Sequence, residues 1–194
     1  AINKKGFFSI VLCGGGTPKN IYSKLSYANT DWSAWYVYFG DERCLPIDHP
    51  ERNSLMAQDS WLFKSEIPTA QVFPIPSELG NKKAAMQYEN TIKKVEKFDL
   101  VLLGFGEDGH IASLFPGHTW DDDRLVVPVF NAPKLPSERV SLTTKGLSNA
   151  KDVIFLVAGK NKAKAFSLWG DTKITPASLI TATNNVRILT FGIS

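Results

Sequence analysis

The run Asp99-Leu100-Val101-Leu102-Leu103 carries no alternation of polar and apolar residues, so it reads as a strand buried on both faces. It opens directly into Gly104-Phe105-Gly106-Glu107-Asp108-Gly109-His110-Ile111-Ala112-Ser113-Leu114-Phe115-Pro116. Glycines, two carboxylates and a histidine crowded behind a buried strand suit a polar site held at the strand mouth. Upstream, Phe7 to Leu12 is a second apolar run, stopped by Gly14-Gly15-Gly16, and Trp35 to Phe39 is a third, stopped by Gly40. Val153 to Ala158 and Val186 to Phe191 complete the set of strong strands.

Helical patterns lie between them. Thr17 is placed to cap a helix with Pro18 at its first position, and Asn53 or Ser54 to cap another reaching about Phe63. Ala85, Tyr88, Ile92 and Val95 keep helical spacing within Asn81 to Lys97, and Lys160 to Leu168 reads as a further helix with Gly170 near its end. Val72-Phe73 and Val126 to Val129 sit beside prolines and read as edge segments, while Arg139 to Thr143 alternates like a half-buried strand. Strands alternating with helices predict an α/β sandwich with a largely parallel sheet, and in such sheets ligands bind beyond the strand C-termini.

Composition sets the outer limits. In 194 residues, 43% hydrophobic and 21% charged, one domain is expected. A net charge of +3 with dispersed lysines does not indicate nucleic-acid binding, and a small anionic substrate fits it as well. No run is long enough to span a bilayer, and the apolar run after Lys4-Lys5 is too short for a signal peptide, so a soluble chain with no membrane partner is expected. Cys13 and Cys44 have no metal-type spacing and read as reduced thiols in the cytoplasm.

Three strand ends carry chemistry. Gly14, Gly15, Gly16 and Thr17 form a strand-to-helix loop whose backbone N–H groups could hold an anion, or which is simply a tight turn. Asp41-Glu42-Arg43 follows the Trp35 strand, where charges are badly placed for a core; Arg43 is either an anion clamp or part of a surface salt-bridge cluster. Lys160 and Lys162 stand at a helix start, where cations oppose the dipole, so they are either neutral surface or an anion contact.

Taken in order, Gly14 to Pro18, Gly40 to Arg43, Asn53, Gly104 to Pro116, Arg139 to Thr143 and Gly159-Lys160-Asn161-Lys162-Ala163 resemble the motif series of the 6-phosphogluconolactonase family. The resemblance implies the fold of glucosamine-6-phosphate deaminase and ribose-5-phosphate isomerase, and hydrolysis of 6-phospho-D-glucono-1,5-lactone in the oxidative pentose phosphate pathway. It implies no metal or organic cofactor, and as partner a small sugar-phosphate lactone. Gly15, Gly16 and Thr17, with Gly14, would hold the phosphate, and Arg43 and Lys162 would supply charge. His110 would be the general base, since imidazole offers a neutral, proton-accepting form near neutral pH. Asp108 would orient it or help position the water, and Asn53 and Arg139 would be second-tier binding residues. Glu107 reads as turn polarity.

Family members carry a lead-in segment before the first strand, so the resemblance also implies that this chain lacks it. Two other readings stay open. A deaminase-type isomerase would share the glycine loop, the Asp-Gly-His turn and the lysine, but Ile111 to Pro116 lacks the glutamate of the deaminase pattern. A non-catalytic sugar-phosphate module would keep the anion site without needing Asp108 and His110. The oligomeric state is not readable from the residues.

Overall fold

In a computed structural model, which describes residues 1–169 and 175–193, the strands are β1 Phe8–Leu12, β2 Trp35–Phe39, β3 Asp41–Arg43, β4 Val72–Phe73, β5 Phe98–Gly104, β6 Val126–Val129, β7 Arg139–Leu142, β8 Ala150–Ala158 and β9 Asn185–Phe191. The α-helices are α1 Ile2–Lys5, α2 Gly16–Leu25, α3 Asn53–Ser60, α4 Asn81–Ile92, α5 Thr144–Ser148 and α6 Ala163–Phe166. Six strands form a parallel sheet in the order β4-β2-β1-β5-β8-β9. The α/β architecture with a parallel sheet expected from the sequence is the one observed, and Val72–Phe73 is its edge.

The order places the site. From β1 the chain moves outward through β2 to β4, then returns to the other side of β1 as β5 and continues outward to β8 and β9. Loops leaving β1 and β5 therefore diverge at a topological switch point, which opens a crevice at their C-terminal ends. The glycine loop and the Gly104 to Pro116 segment are those two loops. They run close enough that a side chain on Gly104 would lie 3.7 Å from the Gly14 carbonyl.

A second sheet, antiparallel in the order β3-β7-β6, was not legible in the sequence. It absorbs Asp41–Arg43, so the charges read as badly placed for a core are in part buried and the surface salt-bridge alternative does not describe Asp41 and Glu42. Asp41 and Glu42 are 5% and 0% exposed. Glu42 is satisfied by the backbone N–H groups of Asn53 and Ser54 at 2.8 Å each, so it caps α3 from outside the helix. The local capping role expected of Asn53 or Ser54 is thereby taken over, and α3 ends at Ser60 before a 3₁₀ turn at Leu62–Lys64. Arg139 to Leu142 is buried at all four positions rather than half-buried, because its polar members find partners around the site.

Other boundaries shift for local reasons. Helix α2 begins at Gly16, with Gly15 at φ 109° as its cap; Thr17 lies inside the first turn and does not cap. The helix drawn to Lys97 ends at Ile92, and the one drawn from Lys160 is a 3₁₀ turn at Lys160–Lys162 followed by α6; Gly170 lies outside the described residues.

Two buried tyrosines lock helices to strand ends. Tyr22 of α2 accepts from Cys13 N–H at 3.0 Å and donates to Cys13 C=O at 2.9 Å, and Tyr88 of α4 does the same for Phe39 at 2.8 and 3.1 Å. Helix α4 also ties the second sheet to the first: Asn81 donates to the Val129 carbonyl at 3.0 Å, and Glu89 accepts from Leu125 N–H at 3.0 Å. Trp32, Trp35, Trp61 and Tyr22 form one aromatic cluster. Among the described residues no helix is long and apolar enough to cross a membrane.

At the opposite strand ends, Asp99 opens β5, 6% exposed. It accepts from Ser9 N–H at 2.9 Å and pairs with Lys5 at 2.7 Å and Lys151 at 2.9 Å. Burial pushes its carboxyl up, but the hydrogen bond from Lys5, with those from Ser9 and Lys151, outweighs burial and holds it below its ordinary value. A carboxyl lowered on folding stabilises the native state fully above its unfolded pKa and loses that contribution as pH falls through the folded value. Asp99→Asn should therefore cost about 1–2 kcal/mol at pH 7, both lysines being partly in water. Urea melts at pH 7 and near pH 3 check this: the deficit should shrink in acid.

Candidate active site

The glycine loop brings the backbone N–H groups of Gly16 and Thr17 to the start of α2, where a helix has no acceptors of its own for them. Gly15 needs its positive φ to make that turn. Gly14 is required for space, because a Cβ there would strike the Asn53 amide oxygen. Asn53 in turn donates through Nδ2 to the Asp41 carbonyl and to Asp41 Oδ1, 3.0 Å each.

Across the crevice, Gly106 N–H donates to the His110 carbonyl at 2.8 Å and Gly109 N–H to the Gly106 carbonyl at 3.1 Å, folding residues 106–110 into a tight loop. Within it His110 Nδ1 hydrogen-bonds the Asp108 carboxylate. A Cβ on Gly106 would run into both partners, so glycine there is a condition of the pair. Burial pushes the Asp108 carboxyl up, but the hydrogen bond and charge of His110 more than offset this and hold it well below the usual carboxylate range. When the imidazole is neutral, an Nδ1–H donated to the Asp108 carboxylate leaves Nε2 as the lone-pair nitrogen. Phe115, 1% exposed, lies beneath, its ring centroid 4.8 Å from that of His110 and 5.7 Å from the Arg139 guanidinium carbon.

Between the loops lies a cavity of about 310 Å³ whose wall includes Gly14, Gly15, Arg43, Asn53, His110, Arg139 and Lys162. Seven of the ten residues singled out from the sequence thus converge; Gly16, Thr17 and Asp108 do not line it, and Asp108 reaches it only through His110. Cys13, Asp41 and Lys134 also line the wall. Among the described residues, four cationic ones, Arg43, Lys134, Arg139 and Lys162, and one acidic one, Asp41, line it.

Their commitments differ. Arg43 gives Nη1 to the Glu51 carbonyl, and its buried Nε has no partner among the described residues. As a cavity-lining guanidinium with an uncommitted N–H, Arg43 is compatible with the anion-clamp reading. Arg139 gives Nε to the Pro136 carbonyl at 3.1 Å and Nη2 to the Lys134 carbonyl at 2.8 Å, so it also holds the loop that carries Lys134. Lys162 lies 3.9 Å from Glu107, whose carboxylate also accepts from Asn161 at 2.6 Å. Glu107 is thus more than turn polarity: it ties the β5 loop to the β8 loop. Burial lowers Lys162, with Glu107 opposing, and it lowers Arg139, with Asp41 opposing.

Cys13 is 4% exposed and burial pushes its thiol up to about 12, so it is no nucleophile. Lys134 was missed in the sequence because the Ala132 to Pro136 loop carries no motif logic of its own. Asp41 was missed because its partners lie elsewhere in the chain.

The family model for glucosamine-6-phosphate isomerases/6-phosphogluconolactonase matches residues 1–189. The chain belongs to this family. Within it, a curated 6-phosphogluconolactonase of Synechocystis sp. is 39% identical over 196 residues, covering 93% of this chain and 80% of that protein. A rice (Oryza sativa) protein named probable 6-phosphogluconolactonase 4, chloroplastic, is 37% identical, with 91% of this chain covered. The chain spans 60% of that rice relative's length. The crystal structure of 6-phosphogluconolactonase from Thermotoga maritima superposes with a TM-score of 0.92 at 29% identity, covering 98% of this chain and 88% of that one.

Proposed function

We propose that this chain hydrolyses 6-phospho-D-glucono-1,5-lactone to 6-phosphogluconate, the lactone-opening step of the oxidative pentose phosphate pathway. The observation that carries this reading is the Asp108–His110 pair opening onto a wall where, among the described residues, Arg43, Lys134, Arg139 and Lys162 meet the single acidic residue Asp41. The names of its relatives in Synechocystis and Thermotoga support it.

Arg43 and Lys162, with the glycine-loop backbone at Gly14 and Gly15 that lines the cavity, hold the phosphate, and Lys134 adds charge from the facing loop. Asn53 and Arg139 shape the rim, Asn53 through Asp41 and Arg139 through the Lys134 loop. His110 Nε2 takes a proton from water as its oxygen attacks the lactone carbonyl. Asp108 stabilises the imidazolium so formed, in the manner of a base held by a carboxylate. When the tetrahedral intermediate collapses, the ring C–O bond breaks and the imidazolium returns its proton to the departing ring oxygen. No net change remains on the protein. The reaction needs no group beyond water and these side chains, and the free thiols Cys13 and Cys44 fit a reducing compartment such as the cytoplasm.

The test is acid release from freshly generated lactone, followed against a protein-free control because the lactone also hydrolyses spontaneously. Acceleration proportional to enzyme concentration is expected. A rate equal to the control would overturn the reading, and ammonia release from glucosamine-6-phosphate would favour deaminase chemistry instead.

A further inference from the structure

Three residues beyond His110 the chain makes a tight reversal. Ile111 N–H donates to the Leu114 carbonyl at 3.2 Å and Leu114 N–H to the Ile111 carbonyl at 2.8 Å. The closure puts Ala112 at φ 47°, a left-handed conformation that residues with a Cβ adopt at a cost. Backbone held there persists only when its surroundings impose it.

Ser113, 1% exposed, supplies that constraint. Its hydroxyl donates to Asp41 Oδ2 at 2.6 Å, and its N–H donates to Ser141 Oγ at 3.2 Å. Asp41 and Ser141 are direct cross-strand partners in the β3–β7 pair, and two residues along the same ladder Arg43 faces Arg139. Since side chains alternate along strands, these four residues share one face of the second sheet. Asp41, Arg43 and Arg139 all line the cavity. The turn that directly follows His110 is therefore pinned, through one serine, to the strand pair that carries the cavity-lining Arg43 and Arg139. Asp41 is itself aimed by the Asn53 amide on its other oxygen, so the pin does not swing.

We propose that Ser113 is a positioning residue. Its two bonds to the Asp41–Ser141 pair set the separation between the His110 imidazole and the arginines opposite, and so the alignment of base with a phosphate-anchored lactone. This rests on the lactonase reading above. Placement errors near 1 Å can cost about 100-fold in rate while leaving the ground-state grip intact.

The experiment compares wild type, Ser113→Ala and Ser113→Cys with the phosphorylated lactone, measuring kcat and KM separately, with thermal melting alongside. Ser113→Ala should lower kcat about 10- to 100-fold with KM changed less than about threefold. Ser113→Cys, close in volume with a weaker donor, should fall between it and wild type, and it carries the test if the alanine variant does not fold. A kcat within twofold of wild type in the folded variants, even with a lowered melting temperature, would make Ser113 a stabilising residue only and overturn the inference. A KM rise with kcat retained would overturn it too, by placing Ser113 in binding. Wild type no faster than the protein-free control would sink the lactonase reading and this inference with it, whereas an active wild type with an unaffected Ser113→Ala sinks only the inference.

Discussion

His110→Ala should lower kcat for lactone hydrolysis about 1000-fold, with KM little changed and the melting temperature close to that of wild type. General-base catalysis by a positioned side chain contributes about 10²–10⁴ in rate, and among the described residues the geometry offers no second base of equal placement. Asp108 has its carboxylate turned to Nδ1, and Asp41 spends both oxygens on Asn53 and Ser113. The fold should tolerate the change, because the tight loop is closed by Gly106 and Gly109 backbone bonds that do not involve the imidazole. Steady-state kinetics with circular dichroism checks this. Turnover near that of wild type would remove His110 from the chemistry.

The second large effect belongs to binding. Arg43→Ala should raise KM for the phosphorylated lactone about 30- to 100-fold with a smaller change in kcat, the equivalent of about 2–3 kcal/mol for a charge-assisted contact in a partly dry wall. Among the described cavity residues, Arg43 keeps an uncommitted guanidinium N–H, whereas Arg139 is largely spent on the carbonyls of the 134–136 loop. Arg43→Lys should recover only part of the loss, since an ammonium restores charge without the guanidinium fork. Inorganic phosphate should inhibit the alanine variant less than wild type. An unchanged KM would mean that Arg43 serves structure alone, through its bond to the Glu51 carbonyl.

Much of this site was legible before folding because its parts are short-range. A glycine run that ends a strand and starts a helix declares an anion loop by local stereochemistry, and Asp108-Gly109-His110 places a carboxylate within reach of an imidazole by chain connectivity alone. The errors share a cause. Thr17 looked like a cap because the left-handed turn at Gly15 cannot be read from residue type when three glycines stand together. Asp41 and Glu42 looked badly placed for a core because their partners, Ser113 and the N–H groups of Asn53 and Ser54, come from other segments. Lys134 was invisible because Arg139 brings its loop to the site.

The sequence by itself determined the α/β class, the strands whose ends carry chemistry, and the Asp108–His110 pair, each a matter of periodicity or of neighbours along the chain. Tertiary structure decided the rest. The return of β5 beside β1 opened the crevice. The second sheet set Arg43 opposite Arg139. The Ser113–Asp41 bond, spanning 72 residues, joined the base's turn to that sheet. Such contacts depend on strand register across long loops, and register is set by the packing of whole faces rather than by any local run of residues.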